Sequence, residues 1–465
     1  MYHLCSRLIV YEDFGEDCIL YRIAGILEDF DLLSGGAGDA VERNEDKLIL
    51  RINREVKRLL DLATPYGFNG NLWQNYLTYL LMTNENSFTL TAERAGHQDG
   101  SIDVFVRNDF SIFMELFHYD FYRLEAGLGI DCFTTLTHYV AIQKRERMYN
   151  RHVSAQVTEL SQKLADCQDV DTFYQIIRNF YEHHGVGIFA VNRAFRCRRM
   201  EAAEMPGSYP AHRSGAKAAT GEEDSGLSIY VINNTDDVRL SDLVGYEAQK
   251  EKLVRNTRAF VNGLPANNCL LYGDSGTGKS TAIKAICNEF YDRGLRLIEL
   301  YKHQCRDLSS VIAQIKNRNY YFIIYMDDLS FEEFETEYKY LKAVIEGGVE
   351  RRPDNVLIYA TSNRRHLIRE NWSDRSDMET SGDLHRSDTM QEKLSLFNRF
   401  GVTIQFGRPT KREYNEIVKV LAGRQLADRY TEEELLARAN QWEISHGGVS
   451  GRTAQQLIDY LAGDA

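Results

Sequence analysis

An apolar run from Cys269 to Tyr272, a glycine-rich loop and a helix-like run from Thr281 to Phe290 follow one another without a break. The loop reads Gly273, Asp274, Ser275, Gly276, Thr277, Gly278, Lys279, Ser280, and meets G-x-x-x-x-G-K-[ST] at every fixed position. A buried strand that feeds a helix through such a loop calls for a parallel sheet covered by helices. The glycines let backbone N–H groups turn inward around a phosphate, and the helix N-terminus adds positive potential. Lys279 would reach the terminal phosphates of a nucleotide, and the Ser280 hydroxyl would bind Mg²⁺. Thr281, which opens the helix, completes the nucleotide-binding set.

The surrounding pattern agrees. Short apolar strands are expected at Cys269–Tyr272, Leu295–Tyr301, Tyr321–Met326, Val356–Thr361 and Val402–Phe406, with helices between them. That predicts an α/β domain over 236–409 with a parallel five-stranded sheet. After Pro409 the pattern is purely helical, at Lys411–Ala422, Glu432–Trp442 and Gly451–Leu461, which suggests a C-terminal helical lid over 410–465.

The run from Tyr320 to Met326 ends in Asp327 and Asp328. In a parallel sheet both carboxylates would stand at the carboxyl end of a buried strand, beside the phosphate loop. Asp327 would hold Mg²⁺ directly or through water, and Asp328 could polarise an attacking water. The strand Val356–Thr361 leads to Asn363. Its amide either orients water near a γ-phosphate or caps the turn that follows.

At 465 residues the chain is too long for one ordinary core. Residues 1–200 are rich in aromatics and read as a mostly helical domain without visible chemistry. Helices are expected at Asp46–Leu62, Leu72–Met82, Phe110–Glu125, Thr134–Arg151, Val153–Leu164 and Val170–His184, with a short strand at Ser87–Ala92. Residues 201–235, with their small residues, glycines, prolines and charges, read as a flexible linker. A formal net charge of −13 disfavours a chain built to coat nucleic acid or an anionic membrane. No apolar run approaches the roughly 18 residues of a spanning helix, and the acidic start argues against a secretory signal. The eight cysteines include no C-x-x-C, which points to buried reduced thiols and a cytoplasmic location.

Residues from about Leu240 to Leu461 resemble an AAA+ ATPase. The entry segment Leu240–Glu247, the loop, the acid pair and Asn363 come in that family's order. The segments Asp327–Glu332, Thr361–His366 and Phe397–Gly401 are most similar to the bacterial family known as domain of unknown function 815. The resemblance implies a three-layer α/β sandwich with a lid, hydrolysis of Mg²⁺-bound ATP, and sites shared between subunits of a homo-oligomeric ring, plausibly a hexamer. Val244 and Gly245 would lie by the adenine, and Asn363 would be a first sensor. Arg452, opening a lid helix, would contact the phosphates. Arg399, just before the last strand, would act as an arginine finger in a neighbouring subunit. A surface salt bridge is the alternative for either arginine. Asp328 stands where many such proteins carry Glu, so slow hydrolysis is expected.

Other signals lead elsewhere. Leu33–Gly36 mimics a transporter signature in the wrong place and reads as a turn. The basic residues Lys250, Lys252, Arg255 and Arg258 lack interleaved aromatics and read as a solvated face rather than a nucleic-acid contact. The expected activity is that of a cytoplasmic ATPase that remodels or recruits an unidentified protein client through its N-terminal domain. The rivals are an ATP-dependent switch without turnover and a loader linked to nucleic acid.

Overall fold

The computed structural model describes the chain except for residues 16, 34–39, 96–99, 142–150, 200–226, 233–234, 332–336, 347–352, 364–395, 427–428 and 464–465. Two compact units emerge. One is built on Met1–Asn192, the other on Arg193–Met200, Ser225–Tyr230 and Thr235–Ala465.

The first unit is helical. Its main helices are Ile19–Leu33, Ala40–Tyr66, Leu72–Thr83, Ser87–Ala95, Ile102–Phe117, Arg151–Ala165 and Val170–His184. Tyr11, Phe110, Phe113, Phe173, Tyr174 and Tyr181 fill the interior, packed as tilted and edge-on pairs. Fully buried Asp109 accepts the N–H groups of Ile9, Val10 and Tyr11, so backbone dipoles take the place of solvent around its carboxyl group.

Three sequence expectations fail here. Ser87–Ala92 is a helical turn, not a strand. Asn86 caps it by accepting the Phe88 and Thr89 N–H groups, and Phe88 and Ala92 are buried at helical spacing. The stretch expected as one helix from Phe110 to Glu125 breaks at His118, and a new helix, Tyr122–Leu128, begins where Asp120 accepts the Tyr122 N–H. Of Thr134–Arg151, only Thr134–Thr137, the end of the short helix Cys132–Thr137, is helical before the stretch that lies outside the described residues.

The second unit carries a sheet of seven strands, not five. The strands are β1 (Ala194–Arg199), β2 (Leu227–Val231), β3 (Cys269–Gly273), β4 (Leu295–Glu299), β5 (Tyr321–Met326), β6 (Val356–Ser362) and β7 (Val402–Phe406), in the order β2-β1-β4-β5-β6-β3-β7. The pairings from β1 across to β7 are parallel. The two extra strands fall in stretches that the sequence assigns to the helical domain and the linker. In β1, buried Phe195 and Cys197 alternate with exposed Arg196 and Arg198, the signature of a half-covered strand. Arg196 pairs with Glu299 on the neighbouring strand.

β3 lies between β6 and β7, yet the chain passes from it through the helix Lys279–Phe290 to β4, beyond β5. The connections therefore reverse direction at β3, and a crevice opens at the carboxyl ends of β3, β5 and β6. The helices Lys411–Gln425, Glu432–Ser445 and Gly451–Gly463 share a small core of their own around Tyr414, Val418, Ala454 and Ile458. Capping boxes at Thr410 with Glu413 and Thr431 with Glu434 start the first two. No described helix is long and apolar enough to cross a membrane.

Candidate functional site

The loop after β3 is fixed by backbone geometry. Gly273 has φ +135°, and a Cβ there would come within 2.1 Å of the Phe406 carbonyl oxygen on β7. Gly278 has φ +91°, and a Cβ there would come within 2.3 Å of Leu243. Backbone blocks a side chain at Gly273, the positive φ strains one at either position, and the glycines so allow the loop to pass between β7 and the entry segment. Asp274 donates its N–H to Phe406, and its carboxylate accepts the Arg408 N–H at 3.1 Å. The Thr277 hydroxyl closes the turn onto the Asp274 carbonyl.

Lys279 is almost fully buried. Its ammonium donates to the carbonyls of Gly273 (2.9 Å) and Asp274 (2.6 Å) and to Asn363 Oδ1 (3.0 Å). Burial lowers its pKa, and Asp274, Asp328 and Asp327 pull in the opposite direction. Asn363 Nδ2 in turn donates to Asp328 Oδ1 at 2.8 Å. Ser280 donates to Asp327 Oδ1 at 2.7 Å, and Thr361 donates to the same oxygen at 2.6 Å. Although burial opposes ionisation of Asp327, the hydroxyl bonds from Thr361 and Ser280 hold its carboxyl below the usual range. Asp328 sits at φ +49°, a left-handed conformation uncommon for a residue with a side chain.

The C-terminal helices reach the loop. Arg452 donates its N–H to the Gly276 carbonyl at 3.2 Å, and its guanidinium stands 3.5 Å from the Ser275 hydroxyl. Val244 packs against the core of that helical cluster, next to Gly245 at the left-handed corner that opens the helix Glu247–Val261. Tyr246 donates its hydroxyl to Gly407.

The structure thus gathers Lys279, Asn363 and Asp328 into one chain of side-chain bonds and Ser280 and Asp327 into another, the two linked through Thr361, while Arg452 bonds the loop at Gly276 and Ser275. Arg399 stands apart from this group and forms an ion pair with Glu346. Of the basic residues on the entry helix, Lys250 bonds the Leu243 carbonyl and Lys252 the Thr403 carbonyl, so both tie the helix to its own domain. Thr361 and Arg408 carry parts of the site that the sequence reading passes over. Neither residue is given a role there, although Thr361 opens the family-like segment Thr361–His366, two positions before Asn363.

Among the described residues no cluster of three or more His, Cys, Asp or Glu could hold a metal alone. Ser280 and Asp327 form a pair of hard oxygen donors, which suits an ion that takes its remaining ligands from phosphate and water.

A family model described as "Protein of unknown function (DUF815)" matches residues 215–465, more than half of the chain. The chain belongs to the DUF815 family. No curated protein matches this DUF815 member. Among solved structures it is similar to two Thermotoga maritima RuvB variants, at 16% and 14% identity with TM-scores of 0.29 and 0.28. Each match covers 48% of this chain and 72% of RuvB.

Proposed function

We propose that this DUF815 protein is an AAA+ ATPase that binds and hydrolyses Mg²⁺-bound ATP. One observation carries the reading. Lys279 of the phosphate loop bonds Asn363 just past β6, which bonds Asp328 after β5, and Ser280 of the same loop bonds the neighbouring Asp327. A fortuitous glycine-rich turn would have no reason to bond to an acid and an amide brought from two other strands.

In this reading Lys279 exchanges the Gly273 and Asp274 carbonyls for the β- and γ-phosphate oxygens, and the loop N–H groups surround the rest. Mg²⁺, held by Ser280 and Asp327, would neutralise charge on the phosphate oxygens. Asp328 and Asn363, already bonded to each other, orient and polarise the attacking water. Val244 and Gly245 border the adenine. Arg452 contacts the phosphates from the helices 411–463, which serve as a lid over a three-layer core. Arg399 leaves Glu346 and acts on a neighbouring subunit's site, which makes the active form a homo-oligomeric ring. The helical unit passes the resulting motion to a protein client in the cytoplasm.

A second reading has one observation in its favour. The Asp328 side chain is a methylene shorter than Glu and already accepts a bond from Asn363. That favours slow turnover and an ATP-dependent switch.

The deciding experiment measures ATP turnover per subunit over a wide range of protein concentration, with Lys279→Ala as the blank. A steep rise with concentration supports shared sites. A constant rate above the blank removes the trans role of Arg399. ATP binding without turnover favours the switch, and neither binding nor turnover overturns the proposal.

A further inference from the structure

The register of the sheet places Thr361 between the two halves of the site. On one side Leu271 of β3, the strand that feeds the phosphate loop, pairs with Thr361. On the other, Met326 of β5 pairs with Ala360, so Thr361 faces the acids that follow Met326. Thr361 is 2% exposed. It is bonded to all three residues that follow β5. Its hydroxyl donates to Asp327 Oδ1 at 2.6 Å and accepts the Asp328 N–H at 2.9 Å, and its carbonyl accepts the Leu329 N–H at 2.7 Å.

One hydroxyl therefore both donates and accepts, as only Ser, Thr or Tyr could at this position. The donated bond fixes the rotamer of Asp327. The accepted bond holds the Asp328 peptide in the turn that gives that residue φ +49°. From that turn the Asp328 carboxylate reaches Asn363.

We infer that Thr361 is a positioning residue for the metal and water side of this site, setting the Asp327 carboxylate toward Mg²⁺ and the Asp328 carboxylate toward Asn363 through one hydroxyl group. This inference rests on the proposed Mg²⁺–ATP site. Thr361 touches no reacting atom and acts only through the two acids. Residues that orient metal ligands in this way typically change metal affinity or activity by about 10- to 100-fold when removed.

The test compares Thr361→Val, which keeps the branched shape without the hydroxyl, with Thr361→Ser, which restores the hydroxyl. Thr361→Ala replaces the valine variant as partner to serine if valine does not fold. Affinity for Mn²⁺ is read by electron paramagnetic resonance with ADP present, and affinity for a fluorescent ATP analogue is read in EDTA. Valine should weaken Mn²⁺ binding about tenfold and leave metal-free nucleotide affinity unchanged, and serine should recover most of the loss. Wild-type Mn²⁺ affinity in the valine or alanine variant overturns the role of Thr361 and leaves the ATPase reading intact. Equal weakening with and without metal also overturns it, because a general distortion of the loop would then be the cause. If the wild-type protein binds no ATP while Lys279→Ala behaves identically, the functional reading fails and this inference fails with it.

Discussion

The Lys279 ammonium and the Asn363 side-chain oxygen lie 3.0 Å apart, although 84 residues separate them in sequence. The other end of the same amide bonds Asp328. Asn363 thus links the phosphate-reaching cation to the acid proposed to polarise water. Asn363→Ala removes both links and leaves the loop's own carbonyls on Lys279. Nucleotide affinity should change little, while turnover falls by about a hundredfold. Equilibrium titration with a fluorescent nucleotide, run beside steady-state turnover, checks the split. A parallel loss of both would mean that the amide serves the loop alone.

The state of Lys279 predicts a pH dependence. Burial puts its pKa below the ordinary lysine value, and an arriving phosphate would raise it. A group whose pKa rises on binding contributes its full share while the pH is below its free-state pKa. That share is lost as pH climbs through the bound-state pKa. ATP affinity in EDTA should be flat near neutrality and fall in the alkaline range, beginning below the ordinary lysine value. Lys279→Met removes the titrating group, so its weak binding should show no such fall. Parallel profiles for the two proteins would refute the assignment.

Gly273 and Gly407 lie at the same end of the sheet and differ sharply in what they tolerate. An added Cβ at Gly273 meets the backbone of Phe406 on a residue with φ +135°, whereas one at Gly407 meets nothing within 4 Å. Backbone cannot swing aside as a long side chain can. Gly273→Ala should cost about 3 kcal/mol, and Gly407→Ala should stay within about 0.5 kcal/mol. Urea unfolding followed on the transition of the second unit reads both. Similar midpoints for the two variants would mean that the loop can be repositioned at little cost.

The parts of this fold legible in sequence are those where one periodicity dominates. β3, β5 and β6 are short continuous apolar runs, buried because they lie inside a parallel sheet, and β5 leads straight into its two acids. β1 escapes notice because a strand near the sheet edge keeps only alternate residues buried, and Arg196 and Arg198 interrupt the apolar run that marks a buried strand. Ser87–Ala92 misleads in the other direction, since its Thr and Phe content favours strand until Asn86 caps a helix. Arg296 shows what pattern cannot carry. It is a 3%-exposed cation on β4, lying over the rings of Tyr291 and Tyr320 at 4.1 and 4.7 Å. Within the site, the phosphate loop follows a spacing rule. Thr361 follows none, because its role depends on the register between β5 and β6.

Arg399 supplies the most direct test of assembly. In the single chain it pairs with Glu346, and both side chains are about a third exposed. A pair so open to water is worth only about 0.5 kcal/mol, so a neighbouring subunit's phosphates can draw the guanidinium away. Glu346→Gln should therefore raise turnover by no more than about threefold, and mainly at low protein concentration, where neighbours are scarce. Arg399→Ala should keep nucleotide affinity and lose hydrolysis. Lys279→Ala should lose the site and keep the finger. Mixed in equal amounts under conditions where subunits exchange, the two inactive proteins should regain part of the wild-type rate, since some interfaces then join an intact loop to an intact arginine. Turnover of the mixture no higher than that of either variant alone, with exchange confirmed by labelled subunits, would place Arg399 outside the reaction and leave Glu346 as its partner in a surface ion pair.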